Sequence, residues 1–193
     1  MKKGGIVLAA IVAFVLIVVL IVGGGFISIR NDLIAKDTQV QSAWAQVENQ
    51  FQRRADLIPN LMETVKGLAA QERGIIQDIA NARARIQGAR DPQSRIASEN
   101  ELSSALSRLL VIVENYPQIK SDRGFLSMMD ELAGTENRLA VERKRYNDAV
   151  QAYNLAVRQF PSSIVASSSG FQQKPFFEAP AAARQAPQVK FQP

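Results

Sequence analysis

The sequence predicts an all-α protein: an N-terminal transmembrane helix over residues 1–28, an antiparallel four-helix up-down bundle over 29–160 and an irregular C-terminal tail over 161–193. Three observations predict it. Ile6 to Val22 is a run of seventeen apolar residues with no charge, proline or glycine. Beyond it, apolar residues recur at spacings of three and four, the pattern of an amphipathic helix. No stretch alternates with the period of two that a half-buried strand requires.

The apolar run comes first. A helix of ~20 apolar residues crosses the ~30 Å hydrocarbon layer, and a backbone that cannot hydrogen-bond to lipid must bond to itself. Ile6, Leu8, Phe14, Leu16, Leu20 and Val22 are the anchor residues. The rival is a cleaved secretory signal with Lys2 and Lys3 as its n-region. Such signals have apolar regions of ~7–15 residues ending at a small-x-small site. This run is longer and lacks Ala-x-Ala, although Gly23-x-Gly25 is small enough to compete. The retained anchor is the preferred reading. Lys2 and Lys3 precede the span while Arg30 and Lys36 follow it. The positive-inside count is therefore nearly level, with the closer positives at the N-terminus, which favours that end inside.

The first bundle helix carries Leu33, Val40, Trp44, Val47 and Phe51 and is continuous with the span or nearly so. Arg53, Arg54 and Asp56 interrupt its stripe. Asp56 reads as the cap of a second helix with Pro59 in its first turn. That helix carries Ile58, Leu61, Val65, Leu68, Ile75, Ile79, Ala82 and Ile86, and stops between Gly88 and Pro92. A third helix starts near Pro92 with Leu102, Leu106, Leu109, Val113 and Tyr116 as its stripe, and Pro117 ends or kinks it. Ser121 or Asp122 caps the fourth. Its stripe is a heptad pattern: Leu132, Glu136, Leu139, Arg143, Tyr146, Val150, Tyr153, Val157 and Phe160. From Leu126 to Phe160 it spans roughly 50 Å.

The tail holds five of the eight prolines, and the serines between Ser162 and Ser169 predict a flexible first part. It also keeps Phe171, Phe176, Phe177 and Phe191, although disordered segments are usually poor in aromatic residues. Two readings stand: a mobile tail, or phenylalanines that dock on the bundle, a sister subunit or a partner.

Composition removes several function classes. Zero Cys excludes disulfides, lipoprotein processing and thiolate chemistry, and zero His removes the commonest general base and metal ligand. Beyond residue 25 the net charge is +3, too mild to argue for nucleic acid. No nucleophile elbow and no phosphate-binding glycine loop is present. No cofactor is expected.

Glu72, Glu99, Glu136 and Arg143 fall at stripe positions where apolar residues are expected. Three readings are open. The first is ion pairing between helices with Arg53, Arg54, Arg83, Arg138 or Arg143, which fixes register more than it adds stability. The second is subunit contacts, and the third an all-oxygen site for Mg²⁺, Mn²⁺ or Ca²⁺. Tyr146-Asn147 and Tyr153-Asn154 repeat at seven residues, with the tyrosines in the core stripe. Trp44 and Phe51 read as core or interface anchors. The basic residues Arg53, Arg54, Lys66 and Arg73 form either a solvated face or a surface for lipid headgroups.

Several of these residues also carry a resemblance. The segment Trp44-Ala45-Gln46-Val47-Glu48 runs into Arg53-Arg54-Ala55-Asp56-Leu57-Ile58-Pro59-Asn60-Leu61. Glu114-Asn115-Tyr116-Pro117, Thr135-Glu136-Asn137-Arg138, Tyr146-Asn147, Tyr153-Asn154, Phe160-Pro161, Gly170-Phe171 and Phe177-Glu178 follow. From about residue 26 to its end the chain resembles the LemA family. Gly134 departs from the pattern, as does Gln71, where such proteins often have His.

The resemblance implies one N-terminal anchor and an antiparallel four-helix bundle, and it implies no reaction. With it the expected role is a single-pass scaffold of the bacterial inner membrane, its partners a lipid bilayer and further copies of itself. An adaptor for another envelope protein is the alternative, and a carboxylate metal enzyme a third. The expected placement of the bundle is extracytoplasmic, with the cytoplasm as the alternative.

Overall fold

A computed structural model describes residues 2–68 and 72–177, with side chains given for Leu8 and from residue 11 onward. It is helical throughout: α1 (Lys2–Thr64), a 3₁₀ turn (Lys66–Leu68), α2 (Arg73–Gly88), α3 (Pro92–Val113), α4 (Pro117–Lys120), α5 (Arg123–Arg158) and α6 (Ser162–Ser169). The described part has no strand. The chain divides into two compact units, residues 1–41 with 148–174 and residues 42–147 with 175–193.

The second unit is the up-down bundle. Its ion pairs record the directions. Glu48 with Arg95 and Arg54 with Glu99 set α3 parallel to α1. Asp78 with Arg108 and Arg85 with Glu101 set α2 antiparallel to α3. Trp44 against Tyr146 and Arg53 with Glu131 set α5 antiparallel to α1. The core is the stripe residues: Val47, Phe51, Ile58, Leu61, Ile79, Leu102, Leu109 and Leu139 are all buried. Asp91 caps α3, accepting from the Ser94 amide at 2.9 Å, and Asp122 caps α5, accepting from the Phe125 amide at 2.9 Å.

The expected boundary at Asp56 is not there. Helix α1 runs through Arg54, Asp56 and Pro59 to Thr64, and the chain leaves it at Val65 and the 3₁₀ turn Lys66–Leu68 instead. Asp56 accepts from Gln52 one turn earlier and caps nothing among the described residues. Proline inside a helix withholds an amide from the carbonyl four residues back, here Ala55. Arg83 of α2 donates its Nε to that carbonyl at 2.9 Å. A side chain thus replaces the missing helix bond, and the helix continues.

The first unit joins the apolar part of α1 to the end of α5 and to α6. Leu33, Ala156, Val165 and Ala166 are buried together, with Ile29, Val157 and Phe171 packed against them. The serine-rich start of the tail is therefore a helix and not a flexible linker, because Val165 and Ala166 give it an apolar face to bury. Ser162 Oγ donates to the Ala156 and Gln159 carbonyls at 2.5 and 2.9 Å. Gly170 ends α6 at φ 78°, the left-handed region that favours glycine, and the Phe171 amide returns to the Ala166 carbonyl.

As the last heptad position Phe160 reads as a core or interface residue; it is 81% exposed, which removes it from the core of this chain and leaves it free for an interface. Helix α5 ends at Arg158, so the heptad register no longer governs where Phe160 points.

Candidate functional site

Two buried charges organise the bundle interior. Arg54 on α1 and Glu99 on α3 meet at 2.5 Å, and Glu99 has no exposed surface. Arg54 Nη1 also donates to Glu136 at 2.5 Å and to Ser103 Oγ at 3.0 Å. Glu136 is half-buried and is shared with Arg143 at 3.3 Å. Three helices thus converge on one guanidinium. Ionised carboxylates in such a place cost several kcal/mol unless paired. Burial pushes the Glu99 carboxyl up to about 7, against the pull of Arg54 and Arg143. Its Oε2 is buried without a hydrogen-bond partner among the described residues. Burial likewise pulls Arg143 below its ordinary value, with Glu136 and Glu99 opposing.

The tail lies on this network. The Arg143 guanidinium sits 4.6 Å from the Phe177 ring centroid, within cation–π range. Phe177 is buried and packs against Phe51 at 6.3 Å, Phe51 against Trp44 at 6.2 Å, and Trp44 against Tyr146 at 5.4 Å. Asn147 fixes the backbone: its amide donates to the Phe177 carbonyl at 3.0 Å and accepts from the Phe177 amide at 2.8 Å. Tyr146 donates its hydroxyl to the Pro175 carbonyl at 3.0 Å.

The first unit repeats the device with the other Tyr-Asn pair. Asn154 donates to the Lys174 carbonyl and accepts from the Lys174 amide, both at 2.8 Å. Lys174 pairs with Asp37 at 2.5 Å and lies 5.4 Å from the Tyr153 ring centroid. An asparagine that both donates to and accepts from one residue behaves as a piece of β-ladder, holding an extended chain without a strand. The seven-residue repeat is the sequence signal for this: Tyr146 and Tyr153 are buried in the core as their stripe positions predict, and Asn147 and Asn154 beside them face the tail. The asparagines are what it positions.

Other expectations sort as follows. Glu72 does not join the charged cluster; it precedes α2 and accepts from the Tyr116 hydroxyl at 3.2 Å. Of the four basic residues read as a face, Arg54 turns inward, whereas Arg53, Lys66 and Arg73 are exposed, Arg53 paired with Glu131 and Lys66 with Glu63. Phe171 is half-buried and Phe176 is exposed. Phe191 and the side chain of Ile6 lie outside the described residues. Leu8, Phe14, Leu16, Leu20 and Val22 are all exposed. Among the described residues no three acidic or other metal-ligating side chains converge; Glu99 and Glu136 converge on Arg54.

The arrangement can bind and hold helices and an extended segment. A family model described as the LemA family matches residues 43–191. Two magnetosome proteins, MamQ 1 and MamQ 2 of Paramagnetospirillum magneticum, are 26% identical over 174 residues. These matches take in 77% of this chain but 64% of theirs, so the chain spans less than two thirds of those relatives' length. Protein LemA of Metamycoplasma hominis is 20% identical over 80% of this chain and 71% of its own.

Proposed function

This chain belongs to the LemA family, and we propose that it is a single-pass, membrane-anchored scaffold of the bacterial cell envelope that associates with itself and performs no catalysis. One observation carries the reading. The apolar stretch of α1 is exposed at Leu8 and at the large apolar residues from Ile11 to Val22, while Arg54 and Glu99 join helices inside the bundle and Asn147 holds the tail. An apolar helix left uncovered by its own chain fits a bilayer. A core that spends its charges on register fits a body whose shape matters more than its chemistry. We place residues 29–177 outside the cytoplasm, a reading supported by the lysines nearest the span, with the cytoplasm as the alternative.

The experiment is mass measurement of the full chain in mild detergent and in lipid nanodiscs at micromolar concentration. Discrete oligomers are expected, and a monomer in both media defeats self-association. A cysteine placed at exposed Gln151 in this cysteine-free chain reports sidedness by labelling with an impermeant reagent in intact cells.

A second reading, an adaptor for another envelope protein, has one feature in its favour. A groove of about 330 Å³ between α3 and α5 is lined by Leu106, Leu110, Met129 and Leu132. Its use of the tail as a docking peptide is less well supported, since Phe171 and Phe177 are already engaged with their own chain.

A further inference from the structure

Phe160 is more exposed than any other large apolar side chain among the described residues, those of the span included. Single exposed apolar residues are ordinary. This one is set apart by where the first unit puts it.

Within that unit α5 descends α1. Lys174 joins the level of Asp37 to that of Tyr153 and Asn154. Farther down, Leu33 and Ile29 meet Ala156 and Val157. Both helices rise ~1.5 Å per residue. Arg158, the last residue of α5, therefore lies ~3 Å below Ala156, and Gln159, still bonded to the Leu155 carbonyl, carries the chain on to Phe160 at the foot of the unit, toward the level of Ile29. That level has a meaning on α1. Residues 4–29 carry no charge, and Arg30 is the first that does. At ~1.5 Å each, these residues cover roughly 39 Å, close to the ~40–45 Å of a bilayer with its headgroups. A span that covers these residues puts Ile29 in the headgroup layer. Ile164, on the helix whose next two residues pack on Leu33, is 61% exposed, and Ile27 on α1 is 61% exposed as well. Arg30 and Arg158, both exposed, flank this belt. Arginines at such a depth bury their stems and reach phosphates with their heads.

We infer that Phe160 and Ile164 form a second membrane contact, seated at the headgroup–acyl boundary of the bilayer that α1 crosses. The inference rests on the membrane span proposed above and deepens it. The occupant is lipid because the patch is continuous in level with the end of the span and is bracketed by cations. Apolar residues at the edge of a bilayer contribute in proportion to the area they bury. With two attachments, the end of α5 and α6 is tied to the bilayer as well as to α1.

The test uses the full chain in vesicles of phosphatidylethanolamine and phosphatidylglycerol. Single cysteines at Phe160, Ile164, Gln151 and Leu16, each carrying a nitroxide, are compared for collision with oxygen and with a water-soluble nickel chelate. Gln151 is the aqueous control, roughly 10 Å back along α5 from its end at Arg158, and Leu16 reports the span. Labels at 160 and 164 are expected to lose nickel collisions and gain oxygen collisions relative to 151. Because both side chains are exposed, either substitution leaves the packed residues in place, and the two positions check each other. Nickel access at 160 and 164 equal to that at 151, with Leu16 in the oxygen-rich interior, overturns the contact and leaves the anchor standing. Nickel access at Leu16 overturns the anchor and the contact together. Nickel protection without oxygen gain, accompanied by dipolar broadening between copies, places a second chain on the patch and overturns the lipid assignment.

Discussion

Arg83 Nε donates to the Ala55 carbonyl at 2.9 Å, and Ala55 is the acceptor that Pro59 leaves without its helical partner. The pair explains how a helix passes a proline unbroken. A buried acceptor without a donor costs ~1–3 kcal/mol, so Arg83→Met should destabilise the bundle by about that much. Pro59→Ala restores the backbone donor and makes Arg83 redundant. The double variant should then lose much less than Arg83→Met loses alone, a coupling that a double-mutant cycle by chemical denaturation reads directly. Additive losses would mean that Arg83 serves some other contact.

The Glu99 carboxyl is held up to about 7 by burial. Between its ordinary 4.5 and that value the folded chain binds a proton the unfolded chain has lost. The stabilising contribution is complete below about 4.5 and is lost as the pH rises through about 7. Glu99→Gln should remove that dependence, so the variant's stability should fall less than the parent's between mildly acidic and mildly alkaline buffer. Equal slopes would place the carboxyl at an ordinary value. Arg54→Met leaves Glu99 buried without its cation, and a loss of ~3–5 kcal/mol is expected, partly recovered by adding Glu99→Gln.

Asn147 and Asn154 each hold one tail residue through both backbone groups. Asn147→Ala should expose the Phe177 amide to exchange, and Asn154→Ala the Lys174 amide, each without accelerating exchange in the core helices. Phe177→Ala removes a buried ring that touches Phe51 and Arg143, for an expected cost of ~3 kcal/mol. Hydrogen exchange followed residue by residue checks all three. Unchanged protection at Phe177 in Asn147→Ala would show that the ring alone fixes the segment.

Gly134 lies inside α5 with φ in the helical range, and a methyl there would meet only the Arg138 guanidinium, at 3.6 Å. Alanine is favoured over glycine in a helix by ~0.8–1 kcal/mol. Gly134→Ala should therefore raise the melting temperature with no change in assembly state. A fall would reveal a close neighbour that the isolated chain does not contain.

Much of this was legible in the residues. The apolar run, the spacings of three and four, and the all-α bundle follow from local chemistry, because one-dimensional periodicity encodes which face of a helix is buried. The polar stripe positions pointed to a charged interior, and two of the proposed cations, Arg54 and Arg143, are there. What could not be read was pairing across helices. Pro59 looked like a helix start because its missing donor is a local fact, whereas Arg83, which compensates it, is 24 residues away. Glu72 and Glu99 looked alike as stripe acids, yet one meets a tyrosine and the other an arginine.

The sequence by itself determined the helical class, the apolar span and the absence of thiol and imidazole chemistry, since each depends only on residue type and spacing. Tertiary structure alone decided that the serine-rich segment folds, that Phe177 is buried while Phe160 is bare, and that the asparagines of the repeat grip the tail. Those outcomes depend on which distant surface a residue meets, and a spacing along the chain carries no record of that.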